Sequence, residues 1–281
     1  MIYPGSCYEI LQNMRYAILE HSEALVQGTD TTGSFQNSYL ISLINRAQNF
    51  LWSLLFQQMP ELFQASASLA FTSSLATLPW DCFKVLEILD ADGLPLSKIG
   101  TKQRHLSNYT GSKYLYDRYG QTIRIDQDGV SETGTLHYYK RPRELTMGAS
   151  SAGGALSLTL ATAAKPIADY YNGMTIENVT DDWIDIIADY SAVRAATLTS
   201  QTGAASKYYG IVSELPEEFH RLIEEKAILD LKRHPKSPVK LTQLDFDMFK
   251  DNLRAVFSAF AGTQTGDADL DEIFNDFEPT R

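Results

Sequence analysis

The sequence predicts an α+β protein in which a helical bundle, built from N-terminal and C-terminal helices, carries an inserted central antiparallel β domain. Apolar residues recur at helical spacing near both ends of the chain, whereas the middle holds short β-rich runs separated by turn signals. No repeat of fixed period is present. The 281 residues suffice for one large domain or two ordinary ones with a well-buried core.

Residues 1–62 are expected to supply the N-terminal helices of the bundle. A first helix is predicted over 5–27, where apolar residues fall at helical spacing and Gly28 ends the run. A second helix has a broad apolar face over 39–55, which predicts a central place in a bundle or an oligomer interface. Pro60 ends this helix.

Residues 63–212 are predicted to form the central β region, within which residues 157–200 make a β module. The run FKVLEIL at 83–89 is typical of a strand, and the alternating TLHYYKR at 135–141 is typical of another. Asp128 with Gly129 signals the turn of a hairpin.

Residues 213–261 are predicted to return to helix and to complete the bundle. Pro216 followed by two glutamates is typical of a helix start, because acidic residues in the first turn suit the helix dipole. Thr242 and Asp245 resemble a capping box in which aspartate replaces the usual glutamate.

Residues 262–281 form an acidic tail with an amphipathic pattern. Its apolar residues have the spacing i, i+3, i+4, i+7, which is one face of a short helix. These residues are Leu270, Ile273, Phe274 and Phe277. A short helix on a terminal tether is marginal alone, so the tail is expected to dock on its own bundle or in a groove of another chain.

Charge and motif content argue against catalysis and against a tight grip on nucleic acid. The net charge is −11, whereas phosphate binding calls for a basic face. The only cysteines, Cys7 and Cys82, form no metal or redox motif, and an EF-hand-like run at 267–278 lacks the glycine at its sixth position. We therefore expect no enzyme activity, no catalytic residue, no metal and no cofactor.

The stretch DYYNGMTIENVTDDWIDIIADY, residues 169–190, concentrates acids and aromatics without any basic residue. Its acids fall mainly between the predicted strands, which favours solvated strand ends over a catalytic site. The N-terminal residues lack the basic and long apolar regions of a signal peptide, and no run is long enough to cross a bilayer, so we expect synthesis and assembly in a cytoplasm without a membrane partner.

Four passages, in this order along the chain, resemble the head-to-tail adaptor (connector) proteins of short-tailed bacteriophages. They are SLATLPWDCFKVLEIL (74–89), TLHYYKRPREL (135–145), DYYNGMTI with IADYSAVRAATL (169–198) and SELPEEFHRLIEEKAILDL (213–231). The resemblance covers roughly residues 35–261.

The resemblance implies a structural virion protein that forms a dodecameric ring in the neck of the particle, assembled in the cytoplasm of the host bacterium. Such a ring joins the portal protein to the tail nozzle and fibres, and genomic DNA passes through its lumen during ejection without specific binding. The tail residues Leu270, Ile273, Phe274 and Phe277 would then anchor the chain to the portal. The aromatic residues of the β module would face the nozzle or fibres, and these are Tyr170, Tyr171, Trp183 and Tyr190.

Two other functions remain open from the residues alone. The β module with Trp183 and its tyrosines is also compatible with a tail-associated module that binds a fibre or a host glycan. A cell-wall glycosidase would need two carboxylates across a cleft, and the many acids of this chain single out no pair.

Overall fold

The computed structural model describes residues 4–30, 32–98, 115–126 and 129–261. These residues contain five α-helices and fourteen β-strands, and the strands form three sheets. The chain divides into two compact units, of which one comprises residues 59–141 and the other residues 1–58 together with 142–281.

The unit 59–141 is built from two small sheets around one apolar core. Its strands are β1 (Gln64–Ala70), β2 (Leu75–Thr77), β3 (Cys82–Leu89), β4 (Ser97–Lys98), β5 (Leu115–Tyr119), β6 (Thr122–Ile125) and β7 (Thr133–Lys140). One sheet has the antiparallel order β1-β7-β3, and the other has the order β2-β6-β5-β4 with β4 parallel to β5. Both sheets contribute to the core, for example through Ile88, Ile123 and Leu136.

The other unit contains the largest sheet, in which seven antiparallel strands open like a half-barrel in the order β8-β14-β11-β12-β13-β10-β9. These strands are β8 (Met147–Ala149), β9 (Ala152–Gly154), β10 (Ser157–Thr159), β11 (Thr175–Asn178), β12 (Trp183–Tyr190), β13 (Ala195–Leu198) and β14 (Tyr208–Ile211). Alternate residues on the concave side are buried because successive side chains of a strand point to opposite faces. Ile176 of β11 and Ile187 of β12 are examples.

The α-helices all belong to this larger unit. They are α1 (Cys7–Ala17), α2 (Glu23–Gln27), α3 (Asn37–Gln58), α4 (His220–Arg233) and α5 (Gln243–Ala261). The single helix predicted over 5–27 is divided, because Leu19 adopts a positive φ of 64° that ends the helical run. The predicted cap of α5 is confirmed: the Thr242 N–H donates to the Asp245 carboxylate, and the Asp245 N–H donates to the Thr242 hydroxyl.

The expectation of a helical bundle with an inserted β domain is wrong. The chain is a mixed α+β protein, but three sheets dominate it and the seven-stranded sheet shares a compact unit with the helices. Helix α1 packs on β14 and β8 as well as on α3 and α4. The apolar helix faces are therefore covered partly by sheet, and a helical pattern in the sequence does not reveal which kind of element covers it.

No helix within the described ranges has the length and apolarity that crossing a membrane requires.

Candidate interaction surfaces

Two tyrosines of the predicted nozzle- or fibre-facing set lie inside the half-barrel. Tyr171 and Tyr190 are each 1% exposed, and their rings meet edge to face with centroids 4.9 Å apart. The Tyr190 hydroxyl donates to the carbonyl oxygen of Lys165 at 2.8 Å. Burial raises the pKa of Tyr190 to about 12 and raises that of Tyr171 as well. These side chains are core residues in this structure and offer no surface to a partner.

Buried Tyr209 of β14 completes this interior cluster. Its hydroxyl accepts a hydrogen bond from the Ala161 N–H at 2.8 Å. Tyr171 likewise accepts from the Lys165 N–H, at 3.3 Å. The three hydroxyls thus bind backbone groups of the segment that follows β10, and the tyrosine cluster fixes that segment on the open side of the sheet.

The other two residues of the set, Tyr170 and Trp183, are half-buried. The Tyr170 hydroxyl accepts from the Glu144 N–H at 3.1 Å. Its carbonyl oxygen accepts from the guanidinium of Arg143, which also binds the Glu214 carboxylate at 2.8 Å. Tyr170 is therefore held in a polar network of its own unit, and Trp183 opens β12.

The predicted portal-anchoring residues lie outside the described residues. They are Leu270, Ile273, Phe274 and Phe277. Their role as an anchor stays a prediction.

Among the acids of residues 169–190, Asp185 has a structural role. It accepts hydrogen bonds from the Thr199 hydroxyl and from the N–H groups of Ser200 and Gln201, both at 2.8 Å. Burial acts to raise the pKa of Asp185, but these bonds and one from the Ile186 N–H outweigh it and lower that pKa to about 2. The carboxylate fastens the loop after β13 to strand β12.

Three further acids from separate elements approach one another in the same unit: Glu9 of α1, Glu177 of β11 and Glu224 of α4. Burial, followed by the charges of Glu224 and Glu177, raises the pKa of Glu9 to about 7. Within the described residues, no group of three metal-binding side chains has a geometry that would hold an ion. Because burial and the neighbouring carboxylates disfavour the ionised form of Glu9, ionisation of this cluster at higher pH destabilises the fold.

The strongest candidate surface lies on β3, which is an edge strand among the strands that the structure describes. Its pairing with β7 is interrupted twice, between Cys82 and Lys84 and between Val85 and Glu87. At each interruption two residues of β3 oppose one residue of β7, which defines a β-bulge. The extra residues are Phe83, opposite Tyr139, and Leu86, opposite His137. Phe83 is 45% exposed and Leu86 is 40% exposed, so each bulge presents a large apolar side chain to solvent.

Two more aromatic side chains are exposed near this edge. Trp80 lies in the turn closed by the hydrogen bond from the Cys82 N–H to the Pro79 carbonyl oxygen, 3.0 Å. The Leu78 N–H donates to the carbonyl oxygen of Gln121 at 2.8 Å, which brings this turn beside the β5–β6 turn that follows Tyr119. Trp80 and Tyr119 are 43% and 46% exposed.

Basic side chains lie close to Cys82 at the start of β3. Burial raises the pKa of the Cys82 thiol, and the nearby guanidinium groups of Arg118 and Arg141 oppose that rise. Lys140 pairs with Cys82 across the strands, and Lys84 follows Phe83 at the first bulge. We call this region the bulged-edge surface. It comprises Trp80, Phe83, Lys84, Leu86, Arg118, Tyr119, Lys140 and Arg141.

A second exposed apolar region lies along α4 and α5. Leu244 and Met248, four residues apart on α5, are both strongly exposed. Met248 lines a groove of about 150 Å³ with Ile228 of α4. The groove also contains Glu225 and Asp245, so its surroundings are acidic where those of the bulged-edge surface are basic.

Sequence reasoning did not single out Phe83 and Leu86, although the strand itself was predicted. The signal is the position of the polar residues in FKVLEIL. Lys84 and Glu87 are three residues apart, whereas a regular half-exposed strand repeats every two. A spacing of three within a strand indicates a bulge, because one extra residue shifts the alternation.

No protein-family model matches this chain, and no curated protein has a matching sequence.

Proposed function

We propose that this chain is a structural, non-enzymatic virion protein, a head-to-tail adaptor that joins the portal of a short-tailed phage to the tail nozzle and fibres. The proposed assembly is a dodecameric ring in the virion neck, through which the genome passes. The motif order along residues 35–261 motivates the family.

The observation that carries the proposal is that the two units expose apolar surfaces of different chemistry. The bulged-edge surface is aromatic and basic, whereas the α4–α5 groove is aliphatic and acidic. A ring is made by head-to-tail contacts, in which two different surfaces of each subunit meet. Exposed apolar residues that cluster, rather than scatter, are typical of protein interfaces.

The distribution of charge also favours this role. Residues 59–141 contain nine acidic and nine basic residues, so the net charge of −11 belongs wholly to the rest of the chain. An acidic body repels the phosphate backbone, which suits a conduit through which DNA slides.

Electron microscopy of the purified chain mixed with the portal protein of its own virus tests the proposal. We expect rings bound coaxially to the portal. Sedimentation velocity should show the free chain replaced by a faster-sedimenting complex. A chain that stays monomeric at saturating portal concentration, with bare portals in the images, would contradict the adaptor role.

A tail module that binds host glycans is the alternative, favoured by the exposed Trp80 and Tyr119. Virions that keep their fibres but lose attachment after Trp80→Ser would support it over the adaptor.

A further inference from the structure

We infer that the bulged-edge surface binds the acidic C-terminal segment, residues 262–281, of a second copy of this chain. This docking rests on the proposed ring, because it supplies one of the head-to-tail contacts from which a ring is made, and it assigns the tail to a neighbouring subunit instead of to the portal.

The apolar chemistry of the two partners matches. The surface exposes Trp80 just before β3 and Phe83 and Leu86 on β3, a strand that also carries Lys84. The segment carries four large apolar residues with the spacing of one helical face, Leu270, Ile273, Phe274 and Phe277. Burying exposed aromatic and aliphatic side chains against each other removes apolar area from water, which is the main driving force of such docking.

The charges match as well. Lys84, Arg118, Lys140 and Arg141 belong to the surface, against three acids of the same region, Asp81, Glu87 and Asp117. Residues 262–281 carry six acidic residues and one basic residue. Opposite net charges favour encounter and fix the orientation of the segment.

The exposed apolar region along α4 and α5 fits this segment poorly. The α4–α5 groove contains Glu225 and Asp245, and their nearest cations, Arg221 and Lys232, are already engaged with them. An acidic segment would meet like charge there.

The bulges also favour a helical occupant over an added strand. A regular edge strand offers a continuous row of backbone groups to an incoming strand, but bulges twist and interrupt that row. Two interruptions within β3 leave side chains as the main contacts. An amphipathic helix laid across exposed apolar anchors makes contacts of this kind.

The test places the photo-crosslinker p-benzoylphenylalanine at position 274 in the full-length chain, under conditions where sedimentation shows assembly. We expect a cross-linked species of twice the 31.4 kDa chain mass. Mass spectrometry of its peptides should join position 274 to residues 80–86, 118–119 or 139–141. Lys84→Glu with Arg141→Glu should lower the cross-link yield about fivefold, because two exposed charge contacts become repulsive.

Two controls keep the outcome clear. The photo-crosslinker at Gln264, outside the apolar pattern, should give little two-chain product, and Lys236→Glu with Lys240→Glu should leave the yield at 274 unchanged. Cross-links within one chain, cross-links to the portal or to other elements, or a yield insensitive to Lys84→Glu with Arg141→Glu would overturn the inference. If rings still form on the portal in that case, the docking assignment fails and the adaptor role stands.

Discussion

Two groups of aromatic residues in this chain differ in burial: one lies in the protein interior and the other is exposed to solvent. Tyr171, Tyr190 and Tyr209 fill the interior of the half-barrel, and each hydroxyl meets a backbone group. Trp80 and Phe83 of the bulged-edge surface lie largely in solvent. Each of these residues has an acidic or basic residue within two positions in the sequence, so composition alone does not separate the two groups.

The difference arises from strand geometry. In the half-barrel, Tyr190 ends β12 and Tyr171 precedes β11, and the hydroxyls of both reach backbone groups of Lys165. On β3, two bulges place Phe83 and Leu86 where the pairing with β7 is interrupted. The placement of each strand, and not its regularity, decides the outcome, because β12 is also irregular, between Ile187 and Asp189, and its last residue Tyr190 is nevertheless buried.

The largest expected effect is the contrast between Tyr190→Ala and Phe83→Ala. Removing the buried ring leaves a cavity and an unpaired carbonyl, so we expect the free energy of unfolding to fall by about 3–5 kcal/mol. Phe83→Ala should change it by no more than about 0.5 kcal/mol. Urea unfolding monitored by circular dichroism measures the free energy of unfolding of both variants. Equal decreases for the two would contradict the assignment of Tyr190 to the core and Phe83 to the surface.

The second effect concerns Asp185, which fastens the loop after β13 to β12. Asp185→Asn should lower the free energy of unfolding by about 2 kcal/mol at neutral pH, because four donors lose a charged acceptor. Asp189→Asn, an exposed change on the same strand, should change it by less than about 0.5 kcal/mol.

The pH dependence of the Asp185 effect follows from its lowered pKa. The folded protein holds this carboxylate ionised down to about pH 2, whereas the unfolded chain protonates it near its ordinary value. Its contribution is therefore present above that ordinary value and is lost as the pH falls through about 2. Wild type and Asp185→Asn should converge in stability over this range, and a constant difference would show that Asp185 acts without its charge.

A smaller effect of opposite sign is expected at Glu9, whose pKa is raised to about 7. The folded state favours the protonated acid, so the contribution of this group is full below its ordinary pKa and is lost as the pH rises through 7. Glu9→Gln should raise the urea midpoint at pH 8 and leave it nearly unchanged at pH 4. Asp251→Asn, a largely exposed change, is the control. A urea midpoint of Glu9→Gln at pH 8 that fails to rise would show that the ionised Glu9 carboxylate does not destabilise the fold.

Several local features could be predicted from the sequence because each depends on neighbouring residues. The strand at FKVLEIL and the Thr242–Asp245 cap are examples, since a periodic pattern and a cap are readable over a few positions. The division of the first helix was not predicted, because it depends on a positive φ at Leu19, and a leucine does not signal that conformation in the sequence.

The arrangement of the elements could not be predicted in the same way. The half-barrel joins β8 to β14, and its partners are about sixty residues apart in the chain. Such pairings depend on distant complementarity, which no local pattern encodes. The resemblance to phage adaptors predicts a partner-facing surface at Tyr170, Tyr171, Trp183 and Tyr190, but the structure buries Tyr171 and Tyr190.

The most direct measurement of the central claim, that the bulged-edge surface is an interface, is sedimentation velocity of Phe83→Ser with Leu86→Ser in the full-length chain with portal. We expect the variant to keep the wild-type urea midpoint, since both side chains are exposed, and to remain unassembled where wild type sediments as a complex. A folded variant that assembles as completely as wild type would contradict the claim.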